Sequence, residues 1–175
     1  IIYSVTSIGE SAFDHSKLTT ITIPNTVTSI GEYAFAYCQK LTSVAIGSGV
    51  KTIHMAAFNN CSALRTITIP ANVKEIYNQA FTGASISTIY MEGTTPPSLL
   101  QSKSDGSAFM IFSTTPTCYV PCSAVASYKS STKWKGAVRE FVAEFPYIFT
   151  VGSANISLGT IAITQQPDCS TAASF

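Results

Sequence analysis

Apolar residues along this chain recur in two interleaved patterns. One pattern reads V-x-x-I-x-x-x-A-F: VTSIGESAF from Val5 to Phe13, VTSIGEYAF from Val27 to Phe35, VKTIHMAAF from Val50 to Phe58 and VKEIYNQAF from Val73 to Phe81. Their starts are offset by 22, 23 and 23 residues. The other reads L-x-x-I-x-I: LTTITIP from Leu18, LTSVAIG from Leu41, LRTITIP from Leu64 and the variant ISTIYME from Ile86. A fixed period of this length marks a solenoid, in which each unit is too short to bury its apolar face alone and stacks on its neighbours.

The alternation in L-x-x-I-x-I predicts a half-buried strand. The pairs Ile21/Ile23, Val44/Ile46, Ile67/Ile69 and Ile89/Met91 are then inward, and successive strands form a parallel sheet, one per turn. The A-F dipeptide supplies bulky filler from the opposite wall. At roughly 25 cal/mol per Å2, each buried Phe contributes about 2–3 kcal/mol. A fifth, degenerate turn is expected. Ala108-Phe109 repeats the A-F signal, and the eleven residues from Phe109 to Val120 match those from Phe58 to Ile69. This puts Cys118 and Val120 inward in a strand closed by Pro121. The extra residues fall between Gly93 and Ser107, a stretch with Pro96, Pro97 and Gly106 that reads as a surface loop. Ile1 falls in the slot of Ile23, so the chain opens in mid-repeat and is expected to be a piece of something longer.

These units resemble the BspA-like leucine-rich repeats, a family of bacterial and some protist surface proteins. The VTSIGESAF and LTTITIP copies at their 22–23 residue spacing carry the resemblance. It covers Ile1 to Met91 strongly and runs on to Trp134, because YVPCSAVASYKSSTKW looks like the family's usual ending of a last strand and a short helix bearing Tyr and Trp. It implies a secreted or surface-anchored bacterial protein with an adhesin-like role. The expected fold is a leucine-rich-repeat solenoid, β-rich, with a parallel sheet of about five turns, a short C-terminal capping helix and a β-rich C-terminal segment. Residues 1–135 form the solenoid with its cap, and 136–175 a linker and partial β-module. Ser123 to Ser131 reads as the helix, with Ser123 as N-cap, and Tyr128 and Trp134 as the cover over the open core. Val138 to Phe145 reads as helix or edge strand. From Tyr147 on, the pattern is extended and rich in Thr and Ser.

Composition agrees with this and narrows the function. Hydrophobic residues make up 46% and charged residues 11% of the chain, which argues against disorder. A formal net charge of +1 offers no bulk attraction for nucleic acid, and no apolar run is long enough to insert in a membrane. The five cysteines do not form a disulfide framework. Cys38 and Cys61 each lie three residues after the repeat Phe, in a slot shared with Ser16, Ala84 and, in this register, Phe112. They read as a buried row of thiols, and Cys118 as another core thiol. A zinc site at Cys118 and Cys122 needs about two more ligands, and the two histidines of the chain, His15 and His54, both lie in the early repeats; no metal and no cofactor are expected. His54 sits at a variable turn position and reads as exposed. Glu10 and Glu32 align as surface residues do in a solenoid, not as a catalytic carboxylate pair. No enzyme activity is expected.

The outward strand positions remain as the candidate binding face. Thr20, Ser43, Thr66 and Thr88 form one column. Thr22, Ala45, Thr68 and Tyr90 form the other, with Tyr90 as a candidate anchor. A broken Thr-x-Thr array argues against ice binding. The expected partner is a host or microbial surface protein or glycan. The alternative is a structural spacer that presents a neighbouring domain.

Overall fold

The computed structural model describes residues 4–101 and 110–144. In chain order its strands are β1 (Ser7–Ile8), β2 (Thr20–Thr22), β3 (Ser29–Ile30), β4 (Ser43–Ala45), β5 (Thr52–Ile53), β6 (Thr66–Ile69), β7 (Glu75–Tyr77), β8 (Thr88–Met91), β9 (Ser98–Leu100), β10 (Thr117–Pro121) and β11 (Glu140–Glu144). Helix α1 spans Val125–Ser130 and α2 spans Thr132–Ala137. All pairing is parallel and follows the repeat register: β1-β3-β5-β7-β9 make one sheet, and the L-x-x-I-x-I strands make the other, in two pieces, β2-β4 and β6-β8-β10-β11. The chain is therefore the leucine-rich-repeat solenoid that its pattern predicts, with a short helical C-terminal cap.

The third wall is not a β-sheet. Between the two sheets each turn crosses a tight corner that carries the A-F dipeptide. Two positions per corner, two residues before and two after the Phe, have left-handed backbone. Ser11, His15, Tyr33, Tyr37, Ala56, Asn60 and Gln79 have φ between 53° and 61°, and Gly83 has φ 77°. Non-glycine residues adopt this conformation at a cost of about 1–2 kcal/mol each. The compensation lies in the hydrogen bonds. Each of the seven donates its N–H along the solenoid axis to a carbonyl of the next turn, as in Tyr33 to Met55 O, Tyr37 to Asn59 O, Ala56 to Asn78 O and Asn60 to Thr82 O. Gly83 N donates to Ser113 Oγ instead.

Behind this corner ladder runs a column of stacked rings. Phe13, Phe35, Phe58, Phe81 and Phe112 follow one another at 5.0, 5.2, 5.4 and 5.5 Å, with planes within 11° of parallel. Phe35, Phe58 and Phe81 are fully buried, whereas Phe13, at the open end, is 37% exposed.

The fifth turn departs from expectation in two places. The ring stacked on Phe81 is Phe112, which therefore belongs to the Phe column and not to the cysteine slot. Phe109 lies outside the described residues. The corner-to-strand link is shorter in this turn, eight residues from Phe112 to Val120, so counting eleven back from Val120 lands on the wrong Phe. The strand register holds nonetheless, with Cys118 opposite Ile89 and both Cys118 and Val120 buried. Nor is the whole of Gly93–Ser107 a surface loop. Ser98–Leu100 is β9, paired with β7, and Leu99 is buried. The prolines before it mask the strand, because Pro96 and Pro97 read as breakers when they only lead into it.

The cap has two short helices after a 3-10 turn at Cys122–Ala124, not one. Ser123 does not cap: α1 starts from Ala124 with no side-chain cap hydrogen bond. Tyr128 and Trp134 are buried edge to face at 5.9 Å. Both polar tips reach the turn containing β9: Tyr128 OH donates to Gly93 O at 3.1 Å and Trp134 Nε1 to Pro97 O at 2.8 Å. Of the two readings of 138–145, the edge strand is correct. β11 pairs along the whole of β10 and Phe141 packs on Tyr128, so the strand sheet runs on to Glu144. The expected β-module from Tyr147, like Ile1, lies outside the described residues.

Two substitutions test this architecture in urea melts. Phe58→Ala removes a ring from mid-column and is expected to cost about 3–5 kcal/mol. A loss under about 1 kcal/mol refutes a stabilising column. Gly83→Ala places a Cβ 2.3 Å from Asn60 Oδ1 at positive φ, and a loss of about 1–3 kcal/mol is expected. Adding Asn60→Gly should recover part of that loss, since it removes the clash and leaves the backbone strain.

Candidate binding face

The outward columns form as the strand register requires. Thr20 is level with Ser43, and Thr22 with Ala45. Thr66 lies opposite Thr88, and Thr68 opposite Tyr90. The structure extends both columns by one strand, since Thr117 lies beside Thr88 and Tyr119 beside Tyr90. The two tyrosine rings stack at 5.0 Å and 23°. Tyr119 was within reach of the pattern: once Cys118 and Val120 point inward, the residue between them points out. From β2 to β10 the column residues carry no charge, and the first charged one is Glu140 in β11, whose Oε1 accepts from Thr117 Oγ1 at 3.4 Å.

Hydroxyls divide into two groups. Those just before the strands of both sheets tie neighbouring turns together: Thr28 Oγ1 donates to Thr6 O, Thr42 Oγ1 to Thr19 O, Ser87 Oγ to Arg65 O and Thr114 Oγ1 to Ile86 O. Those of Thr20, Thr22, Ser43, Thr66, Thr68 and Thr88 have no partner among the described residues. Strand preference explains Thr at these positions, but the face hydroxyls are left for solvent or ligand.

Other candidate groups are structural. Cys38 and Cys61 are free and fully buried. Each thiol donates to the Phe carbonyl of the preceding turn, Cys38 Sγ to Phe13 O and Cys61 Sγ to Phe35 O, both at 3.1 Å. Cys118 is also free and buried, so it is not bridged to Cys122. Burial pushes the Cys61 and Cys118 thiols up to about 12, with the neighbouring Cys38 adding to the effect at Cys61. Burial, and then the nearby Cys118, raises the Tyr128 hydroxyl. His54 is not the exposed substituent expected. It is half-buried and stacks on Tyr77 at 5.3 Å. His15 stacks on Tyr37 at 4.6 Å and pairs with Asp14 at 2.9 Å. Among the described residues, no three His, Cys, Asp or Glu side chains converge as a metal site, and no helix is long and apolar enough to cross a membrane. A cleft of about 410 Å3 between Met110–Thr115 and α2 holds none of the predicted face residues.

Residues 1–97 match the BspA type leucine rich repeat region, in six copies. The chain belongs to that family. A leucine-rich repeat protein from Bacteroides capillosus is 42% identical, covering 52% of this chain and 66% of that one, with a TM-score of 0.49. A leucine rich cell surface protein from Faecalibacterium prausnitzii is 26% identical, covering 67% of this chain and 44% of that one, with a TM-score of 0.37. The chain thus spans less than two thirds of either. No curated protein matches. In this BspA-type chain the family repeat accounts for the core, the corners and the cysteine row.

The buried thiols give a pH prediction. Cys61 and Cys118 are acids that the fold holds neutral, so the unfolded chain loses its protons first, from the ordinary thiol value of 9.0. Stability should be flat below that pH and fall as pH rises towards 12, where the folded thiols ionise as well. Urea midpoints across this range check it, and a midpoint that rises with pH in this window refutes it. At pH 8 a thiol reagent should modify Cys38, Cys61 and Cys118 only after denaturant is added.

Proposed function

We propose that this chain is a segment of a secreted or cell-surface binding module, adhesin-like and bacterial, that recognises a host or microbial surface protein or glycan through its strand face. The face comprises Thr20, Thr22, Ser43, Thr66, Thr68, Thr88 and Tyr90, extended by Tyr119. The observation that carries this reading is the uncharged double column of unengaged hydroxyls ending in a stacked tyrosine pair. Tyrosine offers a large, rigid, amphipathic contact at low entropic cost, and small hydroxyls around it supply adaptable hydrogen bonds. The name of the Faecalibacterium relative supports a surface location. The chemistry is recognition and not catalysis, since solenoid sheets present extended faces to partners.

A structural spacer is the second reading. It is favoured by β11, which pairs along the whole of β10 and so gives the strand sheet a firmly held strand at Glu140–Glu144, a rigid base for presenting a neighbouring domain.

Replacing Thr66, Thr68 and Tyr90 together with Lys separates the two. The triple variant should lose any partner captured from matrix proteins, mucins or glycans while its melting temperature stays within a few degrees, because all three side chains point outward. Capture that survives the substitution rules out this face. Capture of nothing by the parent chain favours the spacer.

A further inference from the structure

Size, charge and backbone pairing together restrict what the face can hold. With strands about 4.8 Å apart and residues rising about 3.3 Å, the uncharged area from β2 to β10 measures about 20 by 10 Å, or about 200 Å2. A folded protein partner needs about 800 Å2 on each side, so the face fits a slender chain lying across the strands. An extended peptide normally adds to a free strand edge. At the tyrosines there is none, because β8 is paired to β6 and β10, and β10 to β8 and β11; the break in this sheet lies away from them, between β6 and β4. An acidic or basic polymer finds no opposite charge between Thr20 and Tyr119 in the two columns.

The tyrosine pair also makes a step. One face of the Tyr90 ring is covered by Tyr119. Its other face looks along the column toward Thr68, a much shorter side chain level with it in the preceding turn. A flat ring with one free face beside a floor of free hydroxyls matches the chemistry of a sugar. The polarised C–H groups of a pyranose are drawn to the negative face of an aromatic ring, and its hydroxyls exchange hydrogen bonds with Thr and Ser.

We propose that the site takes an uncharged oligosaccharide, lying along the solenoid axis over Thr68. One sugar ring rests on the free face of Tyr90, and its hydroxyls bond to Ser43, Thr66 and Thr88. This rests on the reading of the strand face as the binding surface and adds the class of ligand.

The test is isothermal titration calorimetry of the chain with four neutral hexasaccharides, from cellulose, laminarin, xylan and amylose, and with a galacturonate hexamer as the acidic counterpart. The variants are Tyr90→Ala and Thr68→Lys, with Ser29→Lys on the opposite sheet as control. Near-UV circular dichroism checks that each is folded. At least one neutral hexasaccharide should bind the parent. Tyr90→Ala should weaken it about tenfold, the value of one good aromatic contact, Thr68→Lys should weaken it too, and Ser29→Lys should leave it unchanged. Thr88→Ser, which keeps the hydroxyl, should retain binding if Tyr90→Ala proves unfolded. The proposal is overturned if no neutral hexasaccharide binds at millimolar concentration, if only the acidic one binds, or if Tyr90 and Thr68 do not matter. Should the triple Lys variant lose a protein partner while no sugar binds, the sugar proposal falls and the face reading stands. If neither sugar nor protein depends on the face, both fall.

Discussion

The distance between successive turns, about 4.8 Å where parallel strands hydrogen-bond, governs everything else in this chain. Each wall must repeat at that spacing, so every side chain sits on its counterpart from the turn before. For a flat ring this is a favourable separation: the Phe column runs at 5.0–5.5 Å, nearly face to face. For β-branched residues it gives close packing of Ile on Ile. For a thiol it brings the sulfur to a carbonyl one turn away, which is why a small donor suits the slot of Ser16, Cys38 and Cys61. Where the repeat distance leaves no room, only glycine serves. A Cβ on Gly49 would sit 2.0 Å from Asn25 O.

The same distance accounts for the left-handed corners. A turn that must reverse direction twice and still give its N–H groups to the next turn cannot stay in right-handed or extended backbone. Residues such as Tyr33 and Ala56 accept a positive φ because their N–H then finds Met55 O and Asn78 O. The local strain and the inter-turn bond are two sides of one arrangement, and neither persists alone. A single unit would have the strain without the bond, which explains physically why such repeats fold only in series.

Much of this was legible in the sequence because the period is imposed on residue type. The inward Ile and Val pairs, the A-F filler, the buried thiols and the two outward columns all follow from four copies in register. What was hidden is what the period does not constrain by composition. The corner geometry is invisible because Ser11, Tyr33, Ala56 and Gln79 share a conformation and no chemistry. Phe112 was mistaken because its turn shortens one link and lengthens another, so a count anchored on Val120 overshoots. β9 was concealed by Pro96 and Pro97. The helix start at Ala124 has no capping side chain to announce it. The candidate face was legible in position. Its boundary was not, since Tyr119 becomes a neighbour of Tyr90 only once the fifth strand is aligned.

A solenoid of this kind commits almost all its polar groups to stacking, and that is what isolates the face. Backbone groups go to the ladders, and the pre-strand hydroxyls go to carbonyls of adjacent turns. The tyrosine and tryptophan tips of the cap go to Gly93 and Pro97. Among the described residues, the outward hydroxyls from Thr20 to Thr88 stay in reserve, and they do so at one fixed spacing. The core's stacking rule also operates on this surface, where it aligns Tyr119 behind Tyr90. The ring is thereby stiffened from one side and has the shorter Thr68 level with it on the other. Its order is set by the fold before any ligand arrives, which lowers the entropy that binding must overcome. The proposed recognition thus depends on the turn spacing as directly as stability does.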